Sequence, residues 1–463
     1  MLRLNDTLQR GVVPFEPRDE GKVTMYVCGP TVQSEPHVGH GRSAVAFDAI
    51  RRYLAWRGYQ VTFVRNVTDI EDKIIAAANE SGETVEALAE KMGRRFSDAY
   101  LALGALVPDH EPKATEHIPG IISLIQTLID RGLAYPSEGD VYFSVRAFEG
   151  YGRLSGHNPD ELRSGSRIEV GESKRDPLDF ALWKAAKPGE PWWDSPWGPG
   201  RPGWHIECSV MALSLLGADF DIHGGGTDLI FPHHENEIAQ SEGATGETFA
   251  RYWLHNGMVN LGGEKMAKST GLVVDLKTLI DQRGGRALRL LYLRAHYRTP
   301  IEYSQELLDE AQEALDRLER FLDRADIGTP DESALESFRE AMDDDFGTPQ
   351  AVSQLFDLVR EGNRLLDSGE DVSAVAGAVD EIYRVLGLPD AAPPPPTGLD
   401  LGDLGVRFGV DGTGEELVAR LIGLRARARA ERRFGDADEI RDALDDVGIV
   451  LEDGPNGTRW LRR

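Results

Sequence analysis

Residues 22–68 read as strand, turn, helix and strand, and that order restricts the fold more than any other stretch of the chain. KVTMYVCGP alternates Val23, Met25 and Val27 and stops at Gly29-Pro30, the pattern of a strand running into a loop. After a polar loop, SAVAFDAIRRYLAWRGY sets Ala46, Ala49, Ile50, Tyr53 and Leu54 on one helical face and closes at Gly58. QVTFVRNVT follows, rich in β-branched residues and again strand-like. Two strands joined through a helix pair in parallel, so the expected class is α/β with a doubly wound parallel sheet. Ligands of such sheets sit beyond the C-terminal strand ends, where Cys28 and Thr68 both fall.

Composition narrows the function. The 463 residues suit about three domains. No apolar run approaches the ~20 residues of a membrane span, and the opening MLRLNDTLQRGVVPFEP has no apolar segment, so neither a span nor a signal peptide is expected. The only cysteines are Cys28 and Cys208, which excludes a disulfide framework and makes a reducing cytoplasm the expected location. A net charge of −27 argues against a protein that coats nucleic acid with bulk positive charge. Any polyanionic partner must be gripped at a few concentrated basic sites.

From about residue 110 to 200 the texture changes, with Pro, Gly and Trp crowding into KPGEPWWDSPWGPGRPGW, which reads as an insertion returning to the sheet near Trp204. After Ile301 the pattern turns helical. Leu308, Ala311, Leu315, Leu318 and Leu322 follow a Ser304 cap, and Val352, Leu355, Phe356, Val359 and then Val379, Ile382, Val385, Leu386 mark two more helices, the last stopped by Gly387 and Pro389. The proline run 393–396 is a stiff linker to a module of about sixty residues.

Three constellations carry chemistry. Pro36-His37-Val38-Gly39-His40-Gly41 lies at the strand-to-helix turn, where glycines admit a phosphate close to the backbone and the helix start supplies N–H donors. The two imidazoles add donors; alone, the motif could equally be a polar loop with incidental histidines. Lys265-Met266-Ala267-Lys268-Ser269 follows Gly262-Gly263-Glu264, and two lysines on such a loop can neutralise a triphosphate and its leaving pyrophosphate. A solvated basic loop is the plainer alternative, against which its pairing with the histidine motif weighs. Third, His233 and Glu237 in Pro232-His233-His234-Glu235-Asn236-Glu237 are expected on one face of a helix, with Pro232 in its first turn. With Cys28 and Cys208 they make a donor set suited to Zn²⁺, although no spacing resembles a zinc finger and two inert buried thiols are the alternative. His234 reads as a supporting or core histidine, and His223, in a glycine-lined turn, as a pocket wall.

The segments CGPTV, HVGH, NVTDIEDK, GWHIEC, FDIHGGGTDLIFPHHENEIAQ, HNGMV, KMAKS and DDDFGTP stand in the order found in the cysteinyl-tRNA synthetases, and the chain resembles that family of class I aminoacyl-tRNA synthetases over essentially its whole length. The resemblance implies a Rossmann-like nucleotide-binding sheet with an insertion, a helical bundle and a small C-terminal anticodon-binding module. Its segments would be 1–110 and 201–235 for the halves of the catalytic domain, 111–200 for the insertion and 236–302 for a stem-contact region with the KMAKS loop. The bundle would take 303–390, the linker 391–400 and the anticodon module 401–463.

The resemblance also implies roles. Cys28, Cys208, His233 and Glu237 match zinc ligands, one ion per chain. His37, His40, Lys265 and Lys268 match catalytic positions. Gly29, Thr31, Gly39, Gly225 and Asp228, with His37, His40 and Lys268, match the ATP site, and Thr68, Trp204 and His223 line the cysteine pocket. Gln33-Ser34 replaces the family's Tyr-Asp, and Ala267 its commoner Ser. The implied reaction joins L-cysteine to ATP with Mg²⁺ assisting, then passes the acyl group to the terminal ribose of tRNA-Cys. Zinc would select the thiol, and a cytoplasmic monomer is the simplest expectation. Arg425, Arg427, Arg429, Arg432 and Arg433 are candidate tRNA contacts, and Arg283, Arg286, Arg289, Arg294 and Arg298 a second cluster for the tRNA inner bend. Asp343-Asp344-Asp345 reads as helix-cap chemistry. The rival readings are a cysteine ligase passing the activated acid to an amino sugar, as in a mycothiol-type pathway, a zinc hydrolase, and a non-catalytic RNA-binding protein.

Overall fold

A computed structural model of the chain describes residues 1–162, 173–261, 264–265, 274–389, 404–408, 410, 414–430, 433–446, 449–454 and 457–462. Strands β1 (Lys22–Val27), β2 (Gln60–Arg65), β3 (Phe220–Gly226) and β4 (Ala250–Asn256) form one parallel sheet in the spatial order β4-β3-β1-β2. Helix α1 (Val38–Trp56) makes the crossover from β1 to β2 and stops where Gly58 takes a positive φ of 92°. The chain leaves β1 towards β2 on one side while β3 packs on the other. The β1–β3 boundary is therefore the switch point at which such sheets bind ligands. Cys28 follows β1 directly, and its N–H donates to the Gly224 carbonyl at 3.0 Å, which seats the first thiol at that boundary.

Around the sheet lie α2 (Asp72–Ser81), α3 (Val85–Ala102), α4 (Trp204–Leu216) and α5 (Glu235–Thr245). Glu71 caps α2 by accepting the Lys73 N–H at 2.6 Å, and Thr84 caps α3 by accepting that of Ala87 at 3.2 Å. The insertion folds as an antiparallel sheet of Ala134–Ser137, Asp140–Phe143, Phe180–Ala185 and Gly200–Pro202 and hands the chain to α4 at Trp204. Asp72 ties it down by pairing with Lys184 and Arg201, and Glu235 does so by accepting the N–H groups of Gly152 and Ser155 at 2.9 and 2.8 Å.

The bundle consists of α6 (Gln305–Arg324), α7 (Glu332–Asp343), α8 (Thr348–Ser368) and α9 (Ser373–Val385). The Ser304 hydroxyl caps α6 by accepting the Leu307 N–H at 3.3 Å, and Leu308, Ala311, Leu315 and Leu318 face inward. One apolar core runs from Val23 and Phe47 through Leu290 to Leu315, Leu355 and Ile382. The boundary expected between residues 302 and 303 is therefore not a packing boundary, and Met1–Asp390 form a single compact unit. Asp343-Asp344-Asp345 departs from the helix-cap expectation. Asp343 ends α7 and accepts from the Tyr53 hydroxyl at 2.7 Å, while Asp345 takes a left-handed φ of 56° and accepts from the Asn5 N–H, the Tyr297 hydroxyl and Arg298. The run ends one helix and ties it to the N-terminal strand, because its carboxylates have donors from elsewhere in the fold within reach.

The second unit, Ala391–Arg463, contains α10 (Gly414–Ala430), α11 (Phe434–Asp446) and an antiparallel hairpin of β5 (Ile449–Gly454) and β6 (Gly457–Arg462). It has its own core of Leu417, Val418, Leu421, Ile440, Leu444 and Ile449. The proline run lies outside the described residues.

Candidate active site and metal centre

The histidine motif forms the N-terminus of α1. His37 is its N-cap, and its Nδ1 accepts the Gly39 N–H at 3.2 Å, while the Nδ1 of His40 accepts the His37 N–H at 3.1 Å. The rings stack with centroids 3.7 Å apart. With both Nδ1 atoms accepting, each ring carries its proton on Nε2, so both present an N–H donor edge at the positive end of a 19-residue helix. Gly29 lies alongside, its N–H donating to Asn66 Oδ1 at 2.8 Å. A Cβ there would stand 1.6 Å from the Asn66 carbonyl oxygen, so only glycine fits. Thr31 bridges to Thr68 across the strand ends, and Gly225 lies in β3 with exposed Asp228 just beyond it. Lys265 falls in a two-residue strand, Glu264–Lys265, paired with Leu261 and Asn260. Lys268 and the rest of that motif lie outside the described residues.

The four metal candidates converge. Cys28 comes from the end of β1, Cys208 from the second turn of α4, Glu237 from the first turn of α5 and His233 from the turn before it. One donor atom of each lies within 4.8 Å of all the others; Cys208, His233 and Glu237 are buried and Cys28 is partly buried. Glu237 is the centre of the cluster. Its Oε1 stands 3.4 Å from Cys28 Sγ and 3.2 Å from His233 Nε2, and its Oε2 stands 2.9 Å from His223 Nε2. Two details differ from the sequence reading. Pro232 and His233 belong to a turn over Ile230–His234, and the α-helix opens only at Glu235; His223 lies within a strand rather than a turn. The side chain of His233 still folds back over Glu237, because the turn carries it onto the same side.

Charge explains why such a cluster wants a cation. Burial, then neighbouring Cys208 and Glu237, push the Cys28 thiol well above its ordinary pKa. The Cys28 hydrogen bond pulls the Cys208 thiol down, but burial and Glu237 outweigh it and its pKa is raised. Burial, reinforced by neighbouring histidines, holds His233 and His234 well below theirs, so both imidazoles are neutral. Two sulfurs, a neutral imidazole and a carboxylate packed this closely, with no basic side chain among them, fit a divalent ion. Zinc bonds of ~2.0–2.3 Å require donors this near to one another. The donor chemistry also fits zinc better than magnesium or calcium, which take oxygen.

The walls are aromatic and polar. The Trp204 ring stacks on the His233 ring at 4.2 Å, and buried Thr68 accepts from Asn66 Nδ2 at 3.3 Å. Three residues not singled out in the sequence support the cluster. His205 Nδ1 lies 2.9 Å from His233 Nδ1, His255 Nε2 lies 2.8 Å from His234 Nδ1, and Tyr26 is buried beside Cys208. His205 had a signal in GWHIEC; His255 and Tyr26 had none, since only the pairing of β4 and β1 with β3 brings them near.

The arginines fare differently. Arg283 pairs with Asp309, Arg286 with Glu319, Arg289 with Asp48, Arg294 with Glu310 and Arg298 with Asp345, so every member of the second cluster has a carboxylate partner, Arg289 in the core and Arg283 and Arg294 at the surface. In the C-terminal unit Arg425 is buried in the core side of α10, which removes it from the candidate phosphate contacts, and Arg433 pairs with Asp436. Arg427 and Arg429 are exposed, and Arg432 lies outside the described residues.

Residues 14–313 match the family described as tRNA synthetases class I (C) catalytic domain, 337–389 the DALR domain, and 415–460 the cysteinyl-tRNA ligase anticodon binding domain. Proteins named cysteine–tRNA ligase are 50% identical, from Pseudomonas entomophila strain L48 over 99% of both chains and from Halorhodospira halophila strain DSM 244 / SL1 over 100% of both. The chain belongs to the cysteine–tRNA ligase family. Its fold is that of class I synthetases. A Mycobacterium tuberculosis methionyl-tRNA synthetase bound by methionyl-adenylate superimposes with a TM-score of 0.58 at 17% identity, over 79% of this chain and 90% of that one. A leucyl enzyme from Agrobacterium radiobacter K84, in a complex with tRNA, gives 0.58 at 12% over 81% and 84%. Members of this family are enzymes, and among the described residues no helix is long and apolar enough to cross a membrane.

Proposed function

We propose that this protein activates L-cysteine with ATP and Mg²⁺ as cysteinyl-adenylate and transfers the cysteinyl group to the 3′-terminal ribose of tRNA-Cys. The observation that carries the reading is the convergence of Cys28, Cys208, His233 and Glu237 at the switch point of the sheet, beside the capped N-terminus of α1. The Nε2–H groups of His37 and His40 offer donors to phosphate oxygens, the positive end of the α1 dipole favours the negative charge, and the absence of a side chain at Gly29 lets a nucleotide approach the backbone. Gly225 and Asp228 at the end of β3, with Thr31 and Gly39, complete the nucleotide side. Lys265 and Lys268 would neutralise the negative charge that develops on the leaving pyrophosphate. No side-chain nucleophile is needed, because the cysteine carboxylate itself attacks the α-phosphorus and positioning supplies the rate.

The metal is proposed to be one Zn²⁺ per chain, held by Cys28, Cys208, His233 and Glu237. What the ion supplies when bound is a soft acceptor that takes a thiolate and refuses the far less acidic serine hydroxyl. Trp204 packs on His233 and keeps its ring in place, Thr68 and His223 shape the wall, and burial excludes water that would compete with the substrate sulfur. His205, neutral with its pKa pushed down to about 3 by burial, accepts the Nδ1 proton of His233 and so leaves Nε2 of that ring as a donor to metal. The C-terminal anticodon-binding match over 415–460 supports tRNA rather than an amino sugar as acceptor. A cytoplasmic monomer agrees with this role. The test is cysteine-dependent ATP–pyrophosphate exchange followed by charging of tRNA-Cys transcripts. The reading predicts both activities, and exchange without charging would transfer support to the small-acceptor ligase.

A further inference from the structure

Two of the four metal candidates carry a partner from outside the set. His205 faces His233 at 2.9 Å, and His223 faces Glu237 at 2.9 Å. The sulfurs are placed differently. Cys28 Sγ lies 3.4 Å from Glu237 Oε1, itself a member of the set, and Cys208 sits on α4 in an apolar core that includes Met211, Ala212 and Phe220. A polar atom interrupts that core. Tyr26, in β1, is fully buried, and its hydroxyl makes no hydrogen bond among the described residues. A buried O–H without an acceptor is costly and rare, so its persistence calls for a partner that arrives later.

The sheet sets where Tyr26 lies. It pairs with His223 of β3 in the parallel register, and the two rings stand with centroids 5.3 Å apart. Side chains two residues apart share a face of a strand, and the Cys28 N–H continues the ladder by donating to the Gly224 carbonyl. Tyr26 therefore points to the side of the sheet that Cys28 occupies. It packs in the same core as Cys208, and the Cys208 sulfur is the group its hydroxyl lies beside.

We propose that the Tyr26 hydroxyl donates a hydrogen bond to the Cys208 sulfur when that cysteine holds the metal as a thiolate, and so positions this ligand and tempers its charge. This rests on the metal assignment made above. A neutral thiol is a weak acceptor and a thiolate a strong one, which gives the idle O–H its partner in the loaded site. A sulfur that shares its charge with a donor passes less of it to the ion, which leaves the ion a better acceptor for the substrate sulfur. Tyr26 is thus a positioning residue that acts on the substrate only through Cys208.

The test compares the full-length parent with Tyr26→Phe, which keeps the ring and removes only the hydroxyl. Zinc affinity is read by competition with a chromogenic chelator, and the site is read again after Co²⁺ has replaced zinc. The variant is expected to bind zinc about tenfold more weakly, the scale on which outer partners of metal ligands act. Its thiolate-to-cobalt absorption band should move to longer wavelength, since an unshielded sulfur gives up an electron more easily. The metal-free variant should melt at or above the Tm of the metal-free parent, because an unpartnered buried O–H has been removed. The band is read per bound cobalt, so a smaller folded yield does not disturb it. An unchanged band would overturn the proposal whatever happens to affinity or Tm, and so would an unchanged zinc affinity. A parent protein that purifies without zinc and takes up none would overturn the metal assignment instead, so the two failures are distinguishable.

Discussion

The C-terminal ends of the central strands and the outer surface of the helical bundle handle charge in opposite ways. Beyond the ends of the central strands β1 and β3, Glu237 is fully buried among two thiols and three imidazoles with no basic side chain to answer it. On the bundle side, arginines meet carboxylates of neighbouring elements, as Arg283 meets Asp309 and Arg286 meets Glu319. The difference follows from geometry. Strand ends in a parallel sheet converge, so residues more than two hundred positions apart crowd into one dry site. Helix surfaces diverge, so like charges spread out and pair with whatever acid lies near. Where opposite charge is withheld in a buried place, the fold has left room for a ligand.

This contrast can be broken most sharply at the metal cluster. Cys208→Ser or Glu237→Ala should abolish bound zinc, measured by elemental analysis. Either should lower cysteine-dependent exchange by more than the ~10–100-fold that loss of a merely supporting partner costs. Retained cysteine-over-serine discrimination in both variants would refute selection by the metal. Next comes the buried pair of Arg289 with Asp48, 2.5 Å apart. Burial pulls the Arg289 pKa down, against the lift from Asp48, and the pair also ties α1 to the bundle side. Arg289→Met should lower Tm, at a cost below the about 3–5 kcal/mol of a fully unpaired buried charge, since Asp48 loses one arginine in a dry core but keeps Arg52 at 2.7 Å and the Leu106 N–H at 2.7 Å.

A smaller effect concerns pH. Burial, then His223, holds His255 down at about 3 in the folded protein, against about 6.5 when unfolded. Between those values the unfolded chain binds the extra proton, so this group makes the fold less stable as pH drops below about 6.5 and down to about 3. The slope is about 1.4 kcal/mol per pH unit. Denaturation midpoints of His255→Gln should therefore decline less steeply with acid than those of the parent. Smallest of all, Arg283→Gln should change stability by less than about 1 kcal/mol, read as a small shift in Tm, since its pair with Asp309 lies half-exposed at the surface. A Tm drop as large as that of Arg289→Met would contradict the contrast between the surface pair and the buried one.

Much of the site was readable because it hangs on punctuation. Cys28 was placed by the strand that stops at Gly29-Pro30, His37 and His40 by the turn before an amphipathic helix, and His233 with Glu237 by their spacing of four. What escaped depends on partners remote in sequence. His255 supports His234 only because β4 lies beside β3, and the Thr7 hydroxyl, 2.7 Å from the other nitrogen of His255, arrives from the N-terminus. The partners of the arginines at 283–298 and the burial of Arg425 were not readable for a related reason. Density of one charge along the chain says nothing about the acids that other helices bring, and in a protein of net charge −27 those acids are abundant. The aspartate run at 343–345 read as helix-cap chemistry, yet Asp345 accepts from the Asn5 N–H and the Tyr297 hydroxyl and adopts a left-handed turn there.

Anomalous diffraction at the zinc absorption edge, on crystals of the purified protein, tests the central claim most directly. The account predicts one strong peak per chain, within ~2.0–2.3 Å of both sulfurs, a nitrogen of His233 and a carboxylate oxygen of Glu237. A featureless map at that position, with the Cys28 and Cys208 sulfurs turned away from each other, would contradict it.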